Sequence, residues 1–154
     1  MNKNERVEDS VERFKSSCLE AGLKLTHQRI EIYRELASIK THPNAETLYK
    51  QLKKKMPTIS LDTVYRNLSL LSDYGLIRRL ETAESQARFD GDTSRHYHAI
   101  CSKCKEIVDF DWEEFNGLVP PNLLSWGRPK DINVVVCGVC SKCIQKKPST
   151  KWNG

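Results

Sequence analysis

HYHAICSKCKEIVD, residues 96–109, reads as a β-hairpin that carries two kinds of metal ligand. His96 and His98 are two apart, a spacing that turns both rings to one face of a strand. Cys101 and Cys104 bracket Ser102-Lys103. A two-residue turn there would set Asp109 opposite His96, on the histidine face, with the cysteines on the other. One hairpin would then offer nitrogen and carboxylate donors on one side and thiolates on the other. Thiolates suit zinc, whereas a His/carboxylate set admits iron, manganese or zinc.

The chain has 154 residues, 38% hydrophobic and 29% charged. That is the composition of a soluble globular protein, long enough for one ordinary domain or two small ones. There is no apolar run of membrane-spanning length and no signal-peptide core at the start, so the expected compartment is the cytoplasm, with no membrane partner. In that compartment six cysteines are expected as metal ligands rather than as disulfides. The net charge is +5, and from Lys40 to Arg79 eight lysines and arginines stand against three acids. Such a block suits a polyanionic partner, although a solvated basic face has the same composition.

Outward from the hairpin, the N-terminal half reads as helices. Val7, Val11, Phe14 and Cys18 recur at helical spacing between Arg6 and Glu20, with Gly22 as the stop. Cys18 falls on that apolar stripe and reads as a core residue. Thr26 caps a second helix bearing Ile30, Tyr33, Leu36 and Ala37, with His27 exposed at its first position. Thr41-His42-Pro43-Asn44 breaks the chain, and Asn44 caps a third helix bearing Leu48, Leu52 and Met56. Ser60 caps a fourth, which Gly75 ends. Leu61, Val64, Leu68 and Leu71 form its buried stripe. Asp62, Arg66 and Ser69 project on the far side, flanked by Thr63, Tyr65 and Asn67. Three short helices of this kind are what a helix-turn-helix needs, its last helix entering the major groove, although a plain amphipathic helix in a small bundle has the same pattern. Two strand-like runs, residues 76–82 and 86–90 joined by 83–85, would form a wing, placing Arg78, Arg79 and Arg88 near phosphates.

Gly91-Asp92-Thr93-Ser94 is the natural boundary. The expected organisation is α+β: an N-terminal winged helix-turn-helix domain over residues 1–90, a hinge at 91–94, a small α/β dimerisation domain at 95–144, and a disordered tail at 145–154. In the second domain, residues 112–126 are expected to hold one short helix, limited by Pro120-Pro121. Residues 132–137 (INVVVC) are expected to form a buried strand. So small a core calls for a second copy of the chain.

Cys101-x2-Cys104 is answered by Cys137, Cys140 and Cys143, and two CxxC pairs make a tetrahedral zinc site. Cys137/Cys140 and Cys140/Cys143 both qualify. Cys137 closes an apolar strand, which favours Cys140 with Cys143. For the second site, His96 and His98 are the anchor, with Asp109 available. Asp90 stands just before the boundary. A metal held from both sides of residues 91–94 would fix the angle between two domains and so act as a switch. A surface histidine pair among unrelated acids has the same spacing.

The ordered set LTHQR, THPNAETLY, SLDTVYRNL, ARFD, HYHAICSKC, IVDF and CGVCSKC resembles the ferric uptake regulator (Fur) family, and within it most of all the peroxide-sensing repressors (PerR). The resemblance runs from about Val7 to Cys143. It implies a homodimeric winged-helix repressor that binds palindromic operator DNA when metal-loaded; the helix-turn-helix and wing reading puts Ser60, Thr63, Tyr65, Arg66, Asn67, Arg78 and Arg79 at that DNA. It implies a structural Zn2+ on Cys101, Cys104, Cys140 and Cys143, leaving Cys137 as an extra thiol. It also implies a regulatory Fe2+ or Mn2+ on His42, Asp90, His96, His98 and Asp109. Related iron sensors more often carry glutamate at the position of Asp109. The implied mechanism is iron-catalysed addition of oxygen to a ligand histidine, at His42 or His96. Two departures from the family pattern are His27, where proline is usual, and Pro120-Pro121, within the usual dimer-domain helix. Rival readings are an iron- or zinc-level-responsive repressor of the same fold, a zinc-stapled interaction module, and a small non-haem iron oxygenase. No segment is left over to build a substrate pocket for the oxygenase, so a non-enzymatic role is expected.

Overall fold

A computed structural model describes residues 2–82, 86–115, 119–123, 125–129 and 132–145. The chain divides into two units, Met1–Ser94 and Arg95–Gly154.

The first unit is four helices followed by a two-stranded hairpin: α1 Lys3–Glu20, α2 His27–Ser38, α3 Ala45–Lys55, α4 Leu61–Asp73, β1 Arg78–Leu80 and β2 Arg88–Asp90. Each of the three central helices starts where a side-chain oxygen can take an unsatisfied N–H. Thr26 Oγ1 accepts from Arg29 N at 3.2 Å, Asn44 Oδ1 from Thr47 N at 2.8 Å, and Ser60 Oγ from Thr63 N at 3.1 Å. The stops at α1 and α4 are glycines in the left-handed region, Gly22 (φ 72°) and Gly75 (φ 68°), which only a residue without Cβ adopts freely.

Helical periodicity then decides the core. Val11, Phe14 and Cys18 of α1 are buried with Ile32, Tyr33 and Leu36 of α2, Leu48 and Leu52 of α3, and Val64, Leu68 and Leu71 of α4. Phe14 stacks on Tyr33 with ring centroids 4.0 Å apart. In the hairpin, Arg78 pairs with Asp90 and Leu80 with Arg88. Residues 83–85, the expected wing loop, lie outside the described residues.

The second unit is built on a three-stranded sheet in the order β4-β3-β5. β3 (Tyr97–Cys101) runs antiparallel to β4 (Ile107–Phe110) and parallel to β5 (Val135–Gly138). Several expectations are corrected by this unit. The hairpin turn has four residues, 102–105, and Asp109 pairs with His98, not His96. The longer turn closes because Cys101 Sγ accepts the N–H of Cys104 and Lys105 adopts a left-handed conformation (φ 63°). A shift of two residues keeps Asp109 on the histidine face, since side chains alternate with period two.

The apolar run 132–137 is strand only from Val135, and the side chains of that strand are exposed, Val136 at 48%. An edge strand shows its side chains wherever no layer covers the sheet. Between Trp112 and Trp126 the described residues hold no α-helix. They form two single 3-10 turns, Glu113–Phe115 and Pro121–Leu123. A fifth helix, α5 (Ser141–Gln145), follows the sheet and includes Gln145, the first residue of the expected tail. Residues 146–154 lie outside the description. Among the described residues no helix is long and apolar enough to cross a membrane.

Candidate metal centres

The sheet of the second unit gathers four cysteines. Cys101 ends β3, Cys104 lies in the hairpin turn, Cys140 follows β5, and Cys143 is in α5. Their sulfurs all lie within 4.8 Å of one another. Tetrahedral coordination with metal–sulfur bonds of about 2.3 Å sets neighbouring sulfurs about 3.8 Å apart. Cys104 Sγ and Cys140 Sγ are 3.7 Å apart, far beyond a disulfide bond of about 2.05 Å. Backbone N–H groups of Cys104 and Cys140 donate to Cys101 Sγ at 3.5 and 3.3 Å. These two donors, Cys104's foremost, hold the Cys101 thiol down at about 6. Thiol contacts with Cys140 and then Cys104 push Cys143 up to about 12. Four thiols this close cannot all ionise without a cation among them, and the donor set fits a soft-ligand dication.

Cys137 stands apart from this group, exposed on β5. Lys142 Nζ donates to Glu106 Oε1 at 2.9 Å, a further tie between the hairpin turn and α5.

On the other face of the hairpin, His96 Nε2 and His98 Nε2 converge to 3.1 Å. Two nitrogens bound at right angles to one ion, each about 2.1 Å away, are about 3.0 Å apart. Asp109 Oδ1 lies 3.6 Å from His98 Nε2 and 3.9 Å from His96 Nε2. His96 lies one residue before β3 and His98 within it. Both are buried, and Asp109 is about half exposed. This half-site has nitrogen and oxygen donors and no sulfur.

The first unit holds a matching pair. His42 Nε2 lies 3.5 Å from Asp90 Oδ2, with His42 only 3% exposed. The other carboxylate oxygen of Asp90 accepts the N–H of Asp92 at 2.8 Å, which fixes its orientation. β2 carries Asp90 to the His-Pro loop: Phe89 N donates to Pro43 O at 3.0 Å, and Asn44 bridges to Arg88. The Arg88 guanidinium, expected at DNA phosphates, turns inward instead. It donates to the carbonyls of Thr41 and His42. Sequence reasoning missed this role, though alternation along RFD, which sets Arg88 on the face of Asp90, was a signal for it.

The expected DNA-contact residues have mixed surroundings. Tyr65 and Arg66 are exposed on α4, and Arg66 Nε meets Asp62 at 3.0 Å in a pair about three-quarters exposed. Such a pair contributes little and opens easily. Ser60 and Thr63 share a hydroxyl contact of 2.8 Å. Asn67 accepts from Arg29 Nε at 3.3 Å and donates to Thr63 O at 2.9 Å, so it links α4 to α2. Arg79 pairs with Glu81 at 2.8 Å, and Arg78 donates to Thr93 O at 3.3 Å.

If the four-sulfur group holds one metal ion, Cys140→Ala will lose one tightly held equivalent per chain by elemental analysis, and Cys137→Ala will keep it. Loss in Cys137→Ala with retention in Cys140→Ala would mean that the ligand pair is misassigned.

Comparison with known proteins gives this geometry its context. The profile of the family described as "Ferric uptake regulator family" matches residues 20–120. The peroxide-responsive repressor PerR of Staphylococcus aureus is 36% identical over 145 residues, covering 92% of this chain and 97% of that protein. Among solved structures, the ferric uptake regulator of Helicobacter pylori, described with three functional metal-binding sites, superposes with a TM-score of 0.72 at 26% identity over 96% of this chain and 99% of that one. PerR of Streptococcus pyogenes, described in terms of peroxide sensing and gene regulation, gives 0.51 at 26% identity over 87% and 92%. A profile spanning most of the chain and a relative matched over nearly its whole length make this chain a member of the ferric uptake regulator family of metal-dependent transcriptional regulators.

Proposed function

We propose that this chain is a cytoplasmic homodimeric repressor that holds palindromic operator DNA while metal-loaded and releases it after peroxide oxidises one of its ligand histidines. Zinc occupies the four cysteines and staples the sheet. Fe2+ or Mn2+ joins His42 and Asp90 to His96, His98 and Asp109. The observation that carries the reading is the second unit's half-site: two histidine nitrogens 3.1 Å apart with an aspartate, Asp109, paired across the hairpin from His98. The match to a peroxide-responsive repressor over 92% of the chain supports the same choice.

The residues divide the work. His96 and His98 present Nε2 from a buried face, and β4 supplies the Asp109 carboxylate. Asp90 keeps one oxygen on the backbone N–H of Asp92 and offers the other beside His42. Ligands drawn from both units fix one arrangement of those units. Turning a mostly open population into a mostly closed one needs roughly 5.5 kcal/mol of differential binding, within reach of several charged ligands. Bound Fe2+ would supply the one-electron chemistry that makes peroxide an oxidant able to attack imidazole, and Mn2+ would not. A His42 or His96 ring that has gained an oxygen is a poorer donor, so the five-ligand set fails and DNA is released.

Tyr65 and Arg66 on the open face of α4 would read bases, helped by Ser60, Thr63 and Asn67, with Arg78 and Arg79 on phosphates. Asn67 would first have to leave Arg29. Dimerisation covers the exposed valines on one face of the sheet, Val108 and Val136.

Mass spectrometry of tryptic peptides after low-dose peroxide tests the sensing mechanism. One added oxygen on the His42 or His96 peptide is expected in Fe2+-loaded protein and none in Mn2+-loaded protein. Unmodified histidines at full iron occupancy would move the reading to a repressor that responds to metal level.

For the recognition helix, Arg66→Ala is expected to weaken operator binding by about 1–3 kcal/mol per half-site, with both metals retained, in fluorescence anisotropy titrations at fixed salt. Unchanged affinity would remove Arg66 from the interface.

A further inference from the structure

Arg88 has a part in the regulatory site that its charge does not suggest. It lies two residues before Asp90 on β2, so both side chains leave the strand on one face. Nε donates to His42 O, and Nη2 donates to Thr41 O at 3.1 Å. One planar guanidinium thus grips two successive carbonyls, a fit that an ammonium group cannot reproduce. The carbonyls belong to an unusual piece of backbone. His42 has φ 50°, in the left-handed region that side chains bearing Cβ rarely enter. Its imidazole reaches 3.5 Å from Asp90 in that conformation. Relaxing φ to the ordinary negative range would swing the His42 peptide and carry the ring away from Asp90.

We propose that Arg88 is a positioning residue for the regulatory metal, holding His42 in its left-handed conformation through the backbone rather than touching the ion. The wing strand then supplies Asp90 itself and clamps the loop that supplies His42, so both ligands of the first unit move with β2. A disturbance of the wing, such as DNA engagement, reaches the ion through this strand. The proposal rests on the regulatory-site reading above.

The test titrates Mn2+ alone into the zinc-loaded full-length chain and its variants, reading free Mn2+ by electron paramagnetic resonance. Removing an outer-shell partner of a metal ligand typically weakens affinity about 10- to 100-fold. Arg88→Gln is expected to raise the Mn2+ dissociation constant by about that factor while the number of sites and the zinc content stay unchanged. Arg88→Lys, with its charge but no fork, should recover only part of the affinity. An unchanged dissociation constant in Arg88→Gln would overturn the proposal. So would fewer sites at unchanged affinity, which is the mark of a merely structural role. His98→Ala is the control for the underlying reading. It should lose the site, and if it binds Mn2+ normally, the regulatory assignment fails whatever Arg88 does.

Discussion

Four sulfur atoms packed within 4.8 Å of one another repel as they ionise, and only a cation among them makes the arrangement favourable. The second unit depends on that constraint. Its sheet has three short strands, and of the large side chains on those strands Tyr97 and Ile107 are buried while Val108, Val135 and Val136 are exposed. Burial on this scale gives little to set against the entropy of bringing two chain-distant strands together in parallel. A metal on Cys101 and Cys104 at one end of the connection and Cys140 and Cys143 at the other closes it directly. The histidine face of the same hairpin is ordered as a consequence, because β3 carries Cys101 at its end and His98 at its second residue.

The two faces of the hairpin therefore have separate duties. Sulfur ligands make the structural site a thermodynamic part of the fold, while nitrogen and oxygen ligands suit ions that exchange and that can take part in redox chemistry. A regulator needs this separation, since a sensor ion that also held the fold together could not be released without unfolding the protein. The first unit repeats the logic in smaller form. Its core of four helices is complete without metal, and His42 and Asp90 are carried at its edge by a loop and a strand cross-linked through Arg88 and Phe89.

Local physics made much of this legible from residues alone. Thr26, Asn44 and Ser60 were readable as caps because each bonds within three residues of itself, and the apolar stripes of α1 to α4 were readable because helical period depends only on spacing. The four-cysteine set was legible as two CxxC pairs; spacing alone fits Cys137/Cys140 or Cys140/Cys143, and the position of Cys137 at the end of an apolar run together with the resemblance favoured the second. The features that escaped depend on contacts between distant parts or between chains. The four-residue hairpin turn follows from a sulfur accepting a backbone N–H, which no turn preference encodes. The apolar run ending at Cys137 reads as a buried strand, yet the side chains of β5 are exposed in the chain. Arg88 looked like a phosphate contact because composition records its charge and not the direction of its side chain. His42, alone in a loop, had no local signal. Its part came from resemblance, and its closeness to Asp90 depends on a strand more than forty residues away in sequence.

The switch proposed above requires one regulatory ion to take ligands from both units of the chain. Crystals of the Mn2+-loaded, zinc-containing protein, with anomalous diffraction recorded at the manganese edge, test it most directly. One manganese per chain is expected, bonded to His42 and Asp90 as well as to His96, His98 and Asp109. Manganese held by His96, His98 and Asp109 with only water completing its shell, or bound elsewhere, would contradict it.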